Sequence, residues 1–222
     1  MLHRPYGWIT MPQEVTQHDD PFAISEARVR AGSAIRDISH AVVGHHAPDA
    51  LLDEVAETLN SLSAKLDGLT IRTRAPENFQ RRNNEAQVQD GGTFTTYPDR
   101  PYSGTASPLG LDLRVERDGD EVVAHFELRA AHEGAPTRSH GGVVSAVIDD
   151  VFGFVLQLNQ LMGFTGELTV RYEAGTPIGR PLQLRARMES KEGRKIFMTG
   201  EILDGETRTA TARAIFIERT NV

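Results

Sequence analysis

The chain has 222 residues, 39% of them hydrophobic and 25% charged, which bounds it to one ordinary domain with an extension or to two small ones. A net charge of −7 and a pI near 5.6 disfavour nucleic acid or an anionic membrane surface as the main partner. No cysteine is present, so disulfides, thiolate catalysis and cysteine-based zinc or iron–sulfur sites are excluded.

Residues 1–20 carry Pro5, Gly7 and Pro12 in a polar run and read as an irregular arm. No apolar run follows Met1–Tyr6, so a secretory signal is not expected and a cytoplasmic location is. Over 21–72 the spacing predicts two helices. In the first, Phe22, Ala23, Val29, Ile35, Ile38 and Val42 recur up to Gly44, with Asp20-Pro21 as cap and first-turn proline. The second opens at Ala47-Pro48-Asp49, carries Leu51, Leu52, Val55, Leu59, Leu62 and Leu66 on one face, and stops at Asp67-Gly68. Such a helical hairpin must cover its apolar faces, against itself or against the main domain. Residues 73–104 are rich in Asn, Gln, Gly, Thr and Pro, a composition that runs on to Pro108, and predict a long polar linker.

From 105 to 222 the pattern changes to strands. Leu109–Arg117 and Glu121–Ala130 flank Asp118-Gly119, a hairpin dipeptide. After a loop over Ala131–Ser139, Ser139–Leu156 is the most hydrophobic run of the chain, apolar all round a helical projection, and predicts a buried helix. Asp149 and Asp150 near its middle argue against a membrane span. Period-2 strands follow at Glu167–Glu173, Leu182–Met188, Ile196–Leu203 and Thr209–Ile217, separated by tight turns such as Glu192-Gly193 and Asp204-Gly205. An α+β fold follows, an antiparallel sheet curled around one helix, with a helical extension in front.

This order resembles the hot-dog fold. His140-Gly141-Gly142, with Asp149 nine residues after the histidine, is similar to the signature of PaaI-like acyl-CoA thioesterases. Further similarities are Thr165, Leu168-Thr169-Val170-Arg171-Tyr172, Pro177 and Glu192-Gly193-Arg194-Lys195. The resemblance covers about half of the chain, and serine precedes the histidine where some relatives have asparagine. It implies hydrolysis of acyl-CoA with no cofactor, CoA being part of the substrate. Asp149 is then nucleophile or general base, Thr165 a partner of its carboxylate or of a water, and His140 a loop or chemical residue. Arg194 and Lys195 are implied contacts to CoA phosphates.

The chemistry of the residues fits. Unsatisfied N–H groups at a helix N-terminus suit an oxyanion, and Gly141 and Gly142 allow a substrate close to that backbone. A carboxylate among Val, Ile and Phe is costly to ionise unless compensated, which favours a functional role. With the helix starting near Gly141, Asp149 lies about 12 Å along the axis, too far to attack a carbonyl seated at its own helix's N-terminus. A homodimer resolves this, Gly142 of one chain facing Asp149 of the other, and a dimer of dimers is compatible with it. Asp149 shares a face with Gly142, Ala146 and Gly153, small residues that leave room beside it. Asp150 shares one with Val143, Val147 and Phe154, and is expected to be held by an arginine or backbone donors.

Other functions fit less well. G-x-S-x-G, dinucleotide and P-loop patterns are absent, and a hot-dog hydratase would want histidine at Phe154 or Val155. His40, His45 and His46 lack ligand spacing with a carboxylate, so no metal site is expected. The alternatives are an acyl-CoA-binding regulator or an assembly protein on the same fold. Ten Lys/Arg against fourteen Asp/Glu in residues 1–100 count against a DNA-binding segment.

Overall fold

The computed structural model describes residues 24–72 and 87–219. Two helices come first, α1 (Glu26–Gly44) and α2 (Asp49–Asp67). Strands β1 (Arg114–Asp118) and β2 (Glu121–Glu127) follow, then a 3-10 turn at Ala130–His132 and a small hairpin, β3 (Glu133–Ala135) with β4 (Arg138–Ser139). Helix α3 (Gly141–Leu158) leads into β5 (Gly163–Tyr172), β6 (Pro181–Glu192), β7 (Lys195–Asp204) and β8 (Thr207–Glu218). The large sheet is antiparallel in the order β1-β2-β6-β7-β8-β5.

The sheet wraps α3, the hot-dog arrangement read from the sequence. Ten of the eighteen α3 residues are buried, Phe152 and Phe154 completely or nearly so. Each large apolar side chain removed from water contributes about 1.5–3 kcal/mol, so α3 and its cover form the dominant core. The inward face of the sheet is the one the alternation predicts: Leu182, Leu184 and Ala186 on β6, and Ala210, Ala212, Ala214 and Phe216 on β8. Small residues on β8 let the sheet approach the helix closely. Among the described residues α3 alone has the length and apolarity of a membrane span, and its place inside the sheet gives it a core role.

Three expectations need correction. First, β1 begins at Arg114, because turns around Ser107–Gly110 and the left-handed backbone of Asp112 occupy the start of the predicted strand. Second, residues 87–104 are not free linker. Phe94 and Tyr97 are buried, and Phe94 N–H donates to Val115 O, so this segment lies along the outer edge of β1. Its few aromatics were outweighed by polar neighbours that serve its turns. The remaining predicted linker, 73–86, and the predicted arm and Asp20-Pro21 cap lie outside the described residues. Ser25 caps α1.

Third, α1 docks by the face the periodicity did not select. It buries Gly32, Arg36 and His40, while Ile35 and Val42 are exposed. The Arg36 guanidinium donates to Thr105 O (3.1 Å), Ser107 O (2.7 Å) and Asp112 Oδ1 (2.8 Å). A side chain at Gly32 would overlap the Ala106 carbonyl. The two helices do not close a mutually packed hairpin: none of the α2 residues is buried.

Candidate active site

Two groups of residues stand apart on α3. The first surrounds its N-terminus. His140 is the N-cap, its Nδ1 accepting the Gly142 N–H at 3.0 Å. That bond places the ring proton on Nε2. His140 N–H in turn donates to His132 O at 2.8 Å, which ties the cap to the 3-10 turn. The Gly141 N–H has no acceptor among the described residues and lies at the positive end of the helix dipole. Of the two glycines, Gly141 and not Gly142 therefore has the free donor.

Two residues to which the sequence reading gave no role in the site fix the next peptide, Gly141–Gly142. Tyr172 Oη donates to Gly141 O at 2.8 Å, Ser145 Oγ reaches the same oxygen at 3.1 Å, and the two hydroxyls lie 2.7 Å apart. A side chain at Gly141 would sit about 3.1 Å from the Tyr172 hydroxyl. Tyr172 stands at the far end of β5, and the i, i+4 step from Gly141 to Ser145 was the only sequence signal of the contact.

The second group is two turns further on. Asp149 is partly buried, and its Oδ1 accepts the Thr165 hydroxyl at 2.7 Å. Oδ2 has no protein partner among the described residues. Thr165 is brought there by β5, which starts at Gly163, four residues before the predicted strand. A β-bulge between Thr165 and Glu167 shifts the register at this point, a device that re-aims side chains beside sites. Sequence alternation does not reveal where a bulge falls, hence the late predicted start.

Asp150 faces elsewhere, as its register predicts. Arg100 Nε donates to Asp150 Oδ1 at 2.5 Å, and Arg100 Nη2 donates to the Asp150 carbonyl. The guanidinium also lies 4.8 Å from the centre of the Phe154 ring. Both partners are largely buried, with side chains 14% and 9% exposed. Gly153, expected to leave space beside Asp149, instead leaves it for Arg100: a side chain there would overlap the guanidinium.

Arg194 and Lys195 sit at the β6–β7 turn, with Arg194 Nε donating to Glu218 O at 3.2 Å. Lys195 and Phe164 both pair with Ile217, so Lys195 lies two strand spacings, about 10 Å, from the start of β5. The structure thus brings Asp149 and Thr165 into contact and places the basic pair on the same end of the sheet. It does not bring the α3 N-terminus to Asp149, since eight residues of one helix separate Gly141 from the carboxylate, about 12 Å.

On the far side of the α3 cap, His40 and His132 stack edge to face at 4.7 Å between ring centres. His132 accepts the Arg129 N–H and His40 the Ala131 N–H. Burial, then the neighbouring His40 and Arg129, pushes His132 down to about 4. Burial lowers His40 as well.

Comparison with known proteins agrees with this architecture. Residues 139–211 match the Thioesterase superfamily. A mouse protein, acyl-coenzyme A thioesterase THEM4, is 27% identical over 99 residues, which is 44% of this chain and 43% of that protein. The matched part thus spans less than half of the length of this curated relative. The crystal structure of a thioesterase superfamily protein superposes with a TM-score of 0.71 at 26% identity, over 87% of this chain and 96% of the other. That coverage exceeds what the hot-dog portion alone could supply. A protein from Streptococcus mutans UA159, bound to acetyl CoA, is more distant, at 14% identity and a TM-score of 0.44 over 46% of this chain and 83% of the other. The resemblance of the C-terminal half to hot-dog thioesterases, drawn from His140-Gly141-Gly142 and Asp149, holds.

Proposed function

We propose that the chain hydrolyses acyl-CoA thioesters to a free acid and CoA, at a site completed by a second copy of the chain. The match to the Thioesterase superfamily supports thioester hydrolysis at the family level. The observation that carries the assignment to residues is the Thr165–Asp149 hydrogen bond, which orients one carboxylate oxygen and leaves the other open.

In this reading the thioester oxygen accepts the Gly141 N–H of one chain, and the carbonyl carbon faces Asp149 of the other. Asp149 acts in one of two ways. As nucleophile, its Oδ2 attacks the carbon, the tetrahedral oxyanion collapses, the C–S bond breaks, and water then hydrolyses the resulting anhydride. As general base, it takes a proton from a water that attacks, and the departing thiolate is protonated. Either way, negative charge grows on the thioester oxygen beside a donor at the positive end of the helix dipole, while Tyr172 and Ser145 hold the next peptide of the same turn. His140 orients the peptide as a cap. Arg194 and Lys195 supply cations for the CoA phosphates. The PaaI-like motif supports this division of roles.

The sheet edges favour the second copy. At the β1 edge, the segment near Thr93 already covers the strand. At the other edge, β5 is the last strand of the sheet and among the described strands pairs with β8 alone, along ten residues that include Thr165. A long free edge calls for a partner strand. Pairing there joins two sites around a two-fold axis.

A panel of short, medium, long and aryl acyl-CoAs, assayed for thiol release without added metal or nucleotide, tests the proposal. Release from at least one class, abolished by Asp149→Asn, is expected. No release from any, with acyl-CoA still bound, would replace the enzyme with a binding regulator.

A further inference from the structure

Helix α2 is the long element whose apolar face nothing described covers. Leu51, Leu59 and Leu62 are 41–50% exposed and Leu66 is 65% exposed. The spacing on this face is unlike that of a helix turned towards a globular core. Leu52, Val55, Leu59, Leu62 and Leu66 follow one another at steps of three, four, three and four. A strict 3.5-residue period forms a narrow seam, the pattern of a helix that packs along another helix of the same period. By contrast α1, which does dock on the body, does so through Gly32, Arg36 and His40, at steps of four.

We propose that α2 pairs with α2 of a second copy of this chain as an antiparallel coiled coil. Self-pairing is the match the seam itself supplies. With Leu59 set against the partner's Leu62, Val55 meets the partner's Leu66, and these four central positions are filled from both sides. Charge selects the orientation. Asp49, Asp53, Glu54 and Glu57 all lie in the N-terminal half, whereas the last turns carry one base, Lys65, and one acid, Asp67. A parallel pair would set two groups of four carboxylates side by side. The antiparallel pair avoids that repulsion, setting each group beside the partner's C-terminal turn, where Lys65 and Asp67 leave no net charge, and it opposes the two helix dipoles. Ala56 and Ser63 flank the seam and are small enough for close approach. A seam this short is marginal for free peptides. Here both helices are carried by folded bodies, and any second contact between the copies raises their effective concentration. The pairing does not depend on the thioesterase reading.

The natural chain has no cysteine, so single thiols report the geometry without interference. Full-length Leu59→Cys and Leu62→Cys chains, mixed and mildly oxidised, should give a disulfide-linked dimer in much higher yield than either chain alone. Equal or greater crosslinking within each single variant would overturn the antiparallel arrangement. No crosslink in the mixture would overturn the pairing. As a second measure, Val55→Glu with Leu66→Glu, added to both cysteine chains, should reduce the mixed crosslink to the level of either chain alone. The near-UV circular dichroism of the body should stay unchanged, because neither residue is part of its core. An unaltered crosslink yield would refute the proposal whether or not the protein hydrolyses thioesters.

Discussion

Asp149 and Asp150 are adjacent in sequence, chemically identical, and set in different surroundings, so one conservative change at each separates function from stability. Asp150→Asn leaves the volume nearly unchanged but removes the counter-charge of Arg100, a guanidinium only 14% exposed. Breaking one partner out of a buried ion pair costs about 3–5 kcal/mol, a large share of the roughly 5–15 kcal/mol that holds a domain together. For a chain of this length each kcal/mol moves Tm by about 2–4 °C, so a fall of about 6–20 °C is expected. The pair is incompletely satisfied, since Arg100 Nη1 and Asp150 Oδ2 are buried without partners among the described residues. Replacing both members with apolar residues, Arg100→Met with Asp150→Leu, should therefore recover much of the loss. Asp149→Asn breaks no buried pair, and Thr165 can still donate to the amide oxygen. Its Tm should stay within about 2–4 °C of wild type, while kcat falls by at least about 100-fold, the scale of a lost general base. Thermal unfolding followed by thiol release, measured well below the lower Tm, decides the matter. A stable, inactive Asp150→Asn beside an active Asp149→Asn would refute the assignment.

Three further outcomes follow from the contacts. Tyr172→Phe removes a donor to Gly141 O without touching the core, and should lower kcat several-fold with KM little changed; an unaltered kcat would deny it a positioning role. Gly32→Leu would force a side chain onto the Ala106 carbonyl and should free α1, seen as rapid proteolytic cleavage between 24 and 48, with the hot-dog body intact. His132 titrates near 4 in the fold against 6.5 for a free histidine, so the unfolded chain binds the proton more readily. Stability is therefore full above about pH 6.5 and declines towards pH 4. The shift alone corresponds to about 3 kcal/mol, which partial solvation reduces to about 1–2 kcal/mol. His132→Gln should flatten this part of the Tm–pH curve, and an unchanged slope would refute the account.

What the sequence revealed and what it hid divide along one line, whether the information is periodic. The buried helix, the alternation on β6 and β8, and the different faces of Asp149 and Asp150 all follow from side-chain periods, and the structure has them as read. The contacts that do not follow are polar and non-local. Arg36 reaches the carbonyls of Thr105 and Ser107, and Arg100 reaches Asp150 across fifty residues. Neither leaves a repeating trace. The apolar positions of α1 misdirected its docking because three hydrogen bonds from one buried guanidinium, with a glycine beside them, outweighed an exposed isoleucine and valine. The bulge before Glu167 and the hydroxyl pair of Ser145 and Tyr172 are likewise set by registers that no single strand displays.

Those non-local contacts also explain how a helix that must be core can carry a site at all. A helix held only by apolar packing can slide or rotate slightly at small cost, and such a shift would move Asp149 relative to Thr165. α3 is instead pinned at polar points. Arg100 grips Asp150, adjacent to Asp149 and on a different face. Tyr172 and Ser145 hold Gly141, and His132 O holds the backbone of the His140 cap. Two of these anchors reach back towards the first half of the chain: Arg100 lies in the segment that covers β1, and His132 stacks on His40 of α1. Residues outside the strand–helix pattern of the hot-dog fold therefore set the rotation and depth of its central helix. Hydrogen bonds provide this directionality, whereas hydrophobic burial, which is nearly indifferent to small rotations, cannot.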